Sequence, residues 1–450
     1  MKKERVVITG MGVVTPVGLG IGETFDALVQ KQCGIARITA FDPSRFAAQI
    51  AGEVKAAPIQ DCVPKGYRKA VKVMARDIVL AVMAAYYAVR DARLKTKCVL
   101  ERGEETGEPD VDSTRFGANI GAGLICADLN ELAGALASVA ERPEAATDRG
   151  FSMTRWGSEG MQNLTPLWLL KFLPNMLACH VTIVHDCQAP SNTITCGEAS
   201  SHLAIGEAFR TLERGDADVC VCGGAESKLN PMGLMRQELM GRLVTDCNDR
   251  PEAACRPFDV CRGGMVIAEG GGLMILERLE HAQRRGARIY GEVVGFGAAA
   301  SARHWIKPDP DGRALALAIS KALRDAQISP EEIDLINPFG VGTSADDAAE
   351  AAAIRQVFGA RAASIPVLAT KGALGNCGAG SGAIDLAIGV MAMHRRVIPP
   401  CVTTRQVDPA CGLRVICGEP VDSRAETMLS LARAMCGGQT AALVIRRSQA

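Results

Sequence analysis

Short runs rich in Val and Ile alternate with Ala-rich stretches of helical period along the whole chain, and this alternation narrows the possible folds more than any other feature. Strands are expected at Arg5 to Thr9, Phe116 to Gly121, Asn192 to Thr195, Asp218 to Cys222, Gly271 to Glu277, Tyr290 to Gly295, Asp334 to Asn337, Pro366 to Thr370 and Ala441 to Ile445. Helices are expected at Gly22 to Lys31, Lys69 to Arg93, Ser200 to Arg214, Gly312 to Ala326, Ala345 to Phe358 and Ser381 to Arg395. The pattern predicts an α/β protein with mostly parallel strands buried on both faces. No linker interrupts it, so two similar, closely packed halves are expected, 1–278 and 279–450, with a seam near Glu277 to Arg285.

Composition excludes several function classes. The 450 residues carry 50 Lys+Arg against 50 Asp+Glu, which leaves no basic footprint for nucleic acid. The longest apolar run, Ile78 to Val89, is shorter than the roughly 20 residues a membrane span needs. The basic start Lys2-Lys3-Glu4-Arg5 leads into Gly10, Gly12 and Pro16 rather than into a leader core, so a cytoplasmic location is expected. The 17 cysteines have no Cys-x-x-Cys spacing and read as small core residues of a reducing compartment. No metal and no cofactor are expected. Two segments break the alternation: the acidic stretch 101–112 reads as a solvated surface insertion, and 156–176, with two of the three Trp and Leu167-Trp168-Leu169-Leu170, reads as a lid or a subunit contact.

Gly10-Met11-Gly12 after a strand raises a dinucleotide fingerprint, but Thr15 stands where the third glycine belongs and Pro16 follows. His180 and His185 lack metalloprotease spacing and read as structural. More informative is the stretch from Asn192 through Thr195-Cys196-Gly197-Glu198-Ala199-Ser200 to Arg210, which reads as strand, sharp turn and helix. Such an elbow sets one side chain at a helix N-terminus, where backbone N–H groups favour an anion; in a thiol enzyme it is how a cysteine becomes a thiolate.

That elbow, Gly223-Gly224-Ala225-Glu226, the opening Val6 to Gly18, Arg256-Pro257-Phe258-Asp259, Glu280-His281-Ala282, Ile398-Pro399-Pro400 and Gly437-Gly438 together resemble the β-ketoacyl-acyl-carrier-protein synthases of the elongating type, over nearly the whole chain. The resemblance implies a thiolase-like fold, two related halves in five layers α-β-α-β-α, usually dimeric. It also implies a Cys-His-His triad that takes an acyl chain as a thioester, decarboxylates malonyl-carrier and condenses. At the nucleophile position stands Glu198, in the first histidine's place Phe339, and in the second's Asn376. Cys436-Gly437-Gly438 replaces a Phe-Gly-Gly gate. Lys371 and Asp385 match a lysine and an acid that sit beneath the family's site, and Leu124 falls where relatives line the acyl pocket.

An acylated carboxylate would be a mixed anhydride, Phe339 has no proton to give, and Asn376 does not titrate, so ordinary condensation is not expected from this site. Three readings follow for Glu198. Chain-length-factor subunits of aromatic polyketide systems also lack the triad, and resemblance to them implies a non-condensing partner of an active ketosynthase that helps shape the product pocket. Alternatively, Glu198 serves altered chemistry, such as decarboxylation, acyl transfer or condensation on a carrier-bound substrate. In the third reading Glu198 is only a helix N-terminal carboxylate bonded to backbone N–H groups. An acyl carrier protein is an expected partner, with either a ketosynthase heterodimer or a homodimer. Cys196 and Cys377 flank the replaced positions and read as core thiols.

Overall fold

The computed structural model describes residues 3–140 and 151–448. The first half runs β1 (Val6–Thr15), α1 (Arg76–Asp91), β2 (Phe116–Ala122), β3 (Ser191–Ile194), α2 (Ser200–Glu213), β4 (Val219–Ser227) and β5 (Glu269–Arg278). The second runs β6 (Gly291–Ala300), α3 (Arg313–Ala326), β7 (Leu335–Asn337), α4 (Ser344–Phe358), β8 (Pro366–Val367), α5 (Ser381–Arg395), β9 (Thr427–Arg433) and β10 (Gln439–Arg447). The strands order as β3-β2-β4-β5-β1 in one half and β8-β7-β9-β10-β6 in the other, so the same topology occurs twice. The two sets meet where Val6, Val7 and Ile8 of β1 pair with Val293, Glu292 and Gly291 of β6.

The strand directions correct the expectation of a mostly parallel sheet. β2 pairs in parallel with β3 and β4, but β5 runs antiparallel to both β4 and β1, and the second half repeats this mixture. Burial on both faces produces the same continuous apolar run whichever way a strand points, so the residues of β5 and β10 carry no signal of direction. β9 was not anticipated: Thr427-Met428-Leu429-Ser430-Leu431-Ala432-Arg433 has helix-favouring residues, and pairing between β7 and β10 overrides them. The expected helix from Lys69 starts only at Arg76, after short 3-10 turns at Lys65–Tyr67 and Ala70–Val73.

α2 and α5 pack on each other between the two sheet halves, while α1 covers β1, β4 and β5 outside and α3 covers β6 and β10 on the opposite side, with α4 packed against α3. This is the layering of a thiolase-like fold, with helices on both faces of a mixed sheet. The Gly10-Met11-Gly12 pattern is explained here. A Cβ on Gly12 would stand 2.1 Å from the Ala84 carbonyl oxygen of α1, and one on Gly297 of β6 would stand 2.1 Å from the Ala318 carbonyl oxygen of α3. The glycines let an outer helix lie on its strand at the same place in both halves. His180 and His185 are buried against Tyr67 and Thr96, in keeping with structural roles. No described helix is long and apolar enough to cross a membrane.

Candidate functional site

Parallel strands deliver their carboxyl ends to one side of the sheet, and the segments that follow such ends are where α/β proteins build sites. Here the turn after β3 carries Glu198, the end of β4 runs into Lys228, β7 leads to Phe339, β8 to Lys371 and Asn376, and β9 to Met435 and Cys436. The sharp elbow at Glu198 depends on Gly197, which takes φ +55°. The first turn of α2 is braced by Ser200, whose hydroxyl accepts the Cys196 N–H at 2.8 Å and donates to the Gly197 carbonyl at 2.6 Å.

Glu198 is buried, and both of its oxygens are engaged. Oε1 accepts from Lys228 Nζ at 2.9 Å and from Asn376 Nδ2 at 3.3 Å, and Oε2 accepts the Met435 backbone N–H at 3.0 Å. Burial pushes its pKa up, but the Lys228 ammonium and the Met435 N–H more than offset this and hold the carboxyl down at about 2. For Lys228, burial favours the neutral amine, and Glu198 with Glu226 overcomes it, raising the ammonium above its ordinary value. Glu226 lies 3.8 Å from the same ammonium; burial raises its pKa despite Lys228, and it accepts the Ala379 N–H at 2.7 Å. The third sequence reading holds in part: the Met435 N–H and Glu198's own N–H at the elbow both favour the carboxylate. Its other bonds come from Lys228 in its own half and from Asn376 in the other.

Asn376 is fully buried. Its Oδ1 accepts from the Gly378 N–H at 3.0 Å and the Ser381 hydroxyl at 3.1 Å, while Nδ2 also lies 3.3 Å from the Met265 sulfur and 3.7 Å from that of Met435. Phe339 shares an apolar cluster with those two methionines, and its ring centroid lies 4.9 Å from Lys371 Nζ. Glu350 holds the Phe339 and Gly340 N–H groups at 2.7 and 2.8 Å, and burial pushes that carboxyl up to about 7. Lys371 pairs with buried Asp385, which Thr370 also bonds. Burial raises the Asp385 pKa, opposed by Lys371.

The structure therefore brings Glu198, Phe339, Asn376 and Lys371 with Asp385 into one buried constellation. Cys436 stands at its edge, 3.5 Å from an Arg242 nitrogen that shares a guanidinium with the bond to the Met435 carbonyl. Leu124 stands apart, 59% exposed beyond the end of β2. Lys228 escaped the sequence reading, although a lysine directly beyond the apolar strand Val219–Ser227 was the available signal. Burial raises the thiol pKa of both Cys196 and Cys377, but only Cys377 is a core thiol; Cys196, at the tip of the elbow before α2, is half-buried, which corrects its reading as a core residue. Nearby His202 is a neutral buried imidazole bonded to Ser430 at 3.0 Å, its pKa pushed down to about 3 by burial and then by Lys371. Chemically, the constellation offers a spent carboxylate and a paired ammonium, and among the described residues no group of side chains is arranged to hold a metal ion.

Residues 3–282 match the family profile described as beta-ketoacyl synthase, N-terminal domain, and residues 290–405 match its C-terminal domain. The chain is 31% identical over 447 residues to the 3-oxoacyl-acyl-carrier-protein synthase 2 of Coxiella burnetii, covering 99% of each chain. It is 33% identical over 419 residues to that of Synechocystis, covering 93% of this chain and 92% of the relative. Among solved structures, the ishigamide ketosynthase/chain length factor superposes with a TM-score of 0.82 at 27% identity, over 99% of this chain and 100% of that one. AntDE:AntF, a type II polyketide acyl-carrier protein in complex with its ketosynthase, superposes with a TM-score of 0.81 at 27% identity and the same coverage. Two profiles in order, relatives aligned from end to end and a repeated mixed-sheet topology lead to one assignment: the chain belongs to the β-ketoacyl synthase family, a ketosynthase-like protein with the thiolase-like fold.

Proposed function

We propose that this protein is a non-condensing, chain-length-factor-type partner of an active ketosynthase in fatty acid or polyketide synthesis, with 1–278 and 279–450 as its two thiolase-like halves. The observation that carries the reading is the Glu198–Lys228 pair. A condensing site needs a nucleophile that can be acylated and later leave, and groups that move protons beside it. At the position where the family resemblance puts the nucleophile, this chain has a carboxylate of pKa about 2 whose oxygens are all bonded. Altered chemistry at Glu198 is disfavoured by the same facts, because so weak a base takes up a proton poorly and an anionic carboxylate repels a malonyl group.

Two surface features support assembly. Among the described residues β3 ends the sheet and pairs on one side only, with β2, leaving an open edge. The chain beyond β2 also exposes Leu124, Leu129 and Leu136, and 156–176 adds Leu167 and Leu169. For the carrier, Lys65, Arg68, Lys69 and Lys72 are exposed and form no ion pair among the described residues, a cationic surface suited to a partner whose prosthetic arm carries a phosphodiester. The chain length factor and the carrier-bound ketosynthase among the structural neighbours agree with this picture. The test is reconstitution: adding this chain to a Cys-His-His ketosynthase from the same genome, with carrier protein and malonyl thioester, should change the length distribution of the products. An unchanged distribution, or carbon dioxide release from malonyl-carrier by this chain alone that Glu198→Ala abolishes, would overturn it.

A further inference from the structure

A second polar feature lies on the far side of Ser227 from the Glu198 cluster. A cavity of about 460 Å³ opens there between the Ala40-Phe41 loop, the start of α1, the segment Ile125–Asn130 and the chain leaving β4. Its size is within the range of small-molecule sites, roughly 300–1,000 Å³. Phe41, Ile125, Leu129 and Phe172 give it apolar walls. Both cations that line it are already taken: Arg76 pairs with Glu269 at 2.6 Å, and Lys171 pairs with Glu131. Its carboxylates are not taken, since neither Asp77 nor Asp128 has an ion-pair partner among the described residues. Asp128 caps the following helix through the Asn130 N–H at 2.7 Å. Asp77 is 4% exposed; one of its oxygens accepts the Ser227 N–H at 3.0 Å, its own backbone N–H also favours the charged form, and no cation pairs with it among the described residues. Burial, opposed by that N–H and reinforced by Glu226 and Glu269, pushes the Asp77 carboxyl up to about 7, as expected of a buried carboxylate that lacks a cation.

We propose that this cavity binds a primary ammonium carried on an apolar body, with the ammonium against Asp77 and the body along Phe41, Ile125 and Phe172. Charge complementarity selects that class: a carboxylate ligand would meet two carboxylates and no free lining cation, while a purely apolar one would leave the buried Asp77 carboxylate without a cation. Leu129 and the 156–176 segment also belong to the surface proposed above for assembly, so the site is tested on the chain without a ketosynthase partner. Phenethylamine and 3-phenylpropionate are matched probes of opposite charge, titrated calorimetrically into the full chain at about pH 8, where the Asp77 carboxyl is ionised. Saturable binding of phenethylamine alone is expected, weakened at least tenfold by Asp77→Asn. Should Asp77→Asn not fold, Leu129→Trp carries the test, because this partly exposed rim residue can fill the cavity without disturbing the core, and it should abolish binding. Equal binding of the two probes, binding of neither, or phenethylamine affinity unchanged in Leu129→Trp or in a folded Asp77→Asn would overturn the assignment.

Discussion

Replacing Lys228 with methionine probes the buried pair at the centre of the site. The Lys228 and Glu198 side chains are 6% and 5% exposed and 2.9 Å apart, so removing the ammonium leaves a carboxylate unpaired in the interior. Breaking a buried pair from one side costs about 3–5 kcal/mol. Glu198→Gln should cost less, about 1–2 kcal/mol, because Glu226 remains 3.8 Å from the stranded ammonium. The double variant removes both charges while Gln keeps an acceptor for the Met435 N–H. It should be more stable than Lys228→Met alone, with a coupling of about 2–3 kcal/mol. Urea titration read by far-UV circular dichroism measures this, since none of the three tryptophans is buried. The pH dependence has a definite sign. The folded pKa of Glu198, about 2, lies below its ordinary 4.5, so its contribution is complete above 4.5 and is lost as pH falls toward 2. In Lys228→Met burial prevails, the folded pKa moves above 4.5, and stability falls as pH rises through it. A Lys228→Met variant within about 0.5 kcal/mol of wild type, or a double variant equal to the sum of the singles, would refute the reasoning.

Other perturbations give separate checks. Asp77 has the opposite sign to Glu198: its folded pKa of about 7 exceeds the ordinary 3.8, so its contribution is full below 3.8 and is lost as pH rises through 7, and Asp77→Asn should flatten stability across that window. Gly12→Val in β1 and Gly297→Val in β6 should each destabilise by several kcal/mol, on the order of 3, because a Cβ at either place meets a helix carbonyl at 2.1 Å, and circular dichroism melts of the two variants should agree in direction. Thiol titration under native conditions should modify exposed Cys261 well before buried Cys222, Cys255 or Cys377, with the buried set released only on unfolding.

Much of this molecule was legible in its residues. The two-half α/β plan follows from apolar runs and Ala-rich helices, and the elbow at Cys196-Gly197-Glu198 follows from a glycine between a strand and a helix. Strand direction was not legible, because β5 is an apolar run of the same kind as its parallel neighbours and only the long excursion between Ser227 and Glu269 reverses it. β9 was hidden by local preferences that pairing on both sides overrode. At the site, motif spacing located Glu198, Phe339 and Asn376, yet spacing is silent on what a side chain touches. Lys228, Met265 and Met435, remote from Glu198 in sequence, supply most of its environment and that of Asn376, and only the folded chain brings them there.

The most direct test of the partner role is the mass of the assembly that forms. Coexpressed with a ketosynthase that keeps its Cys-His-His triad, the chain should appear in native mass spectrometry as a one-to-one heterodimer, with an acyl label from the carrier carried only by the ketosynthase. A stable homodimer indifferent to the ketosynthase, or an acyl label on this chain itself, would contradict the account.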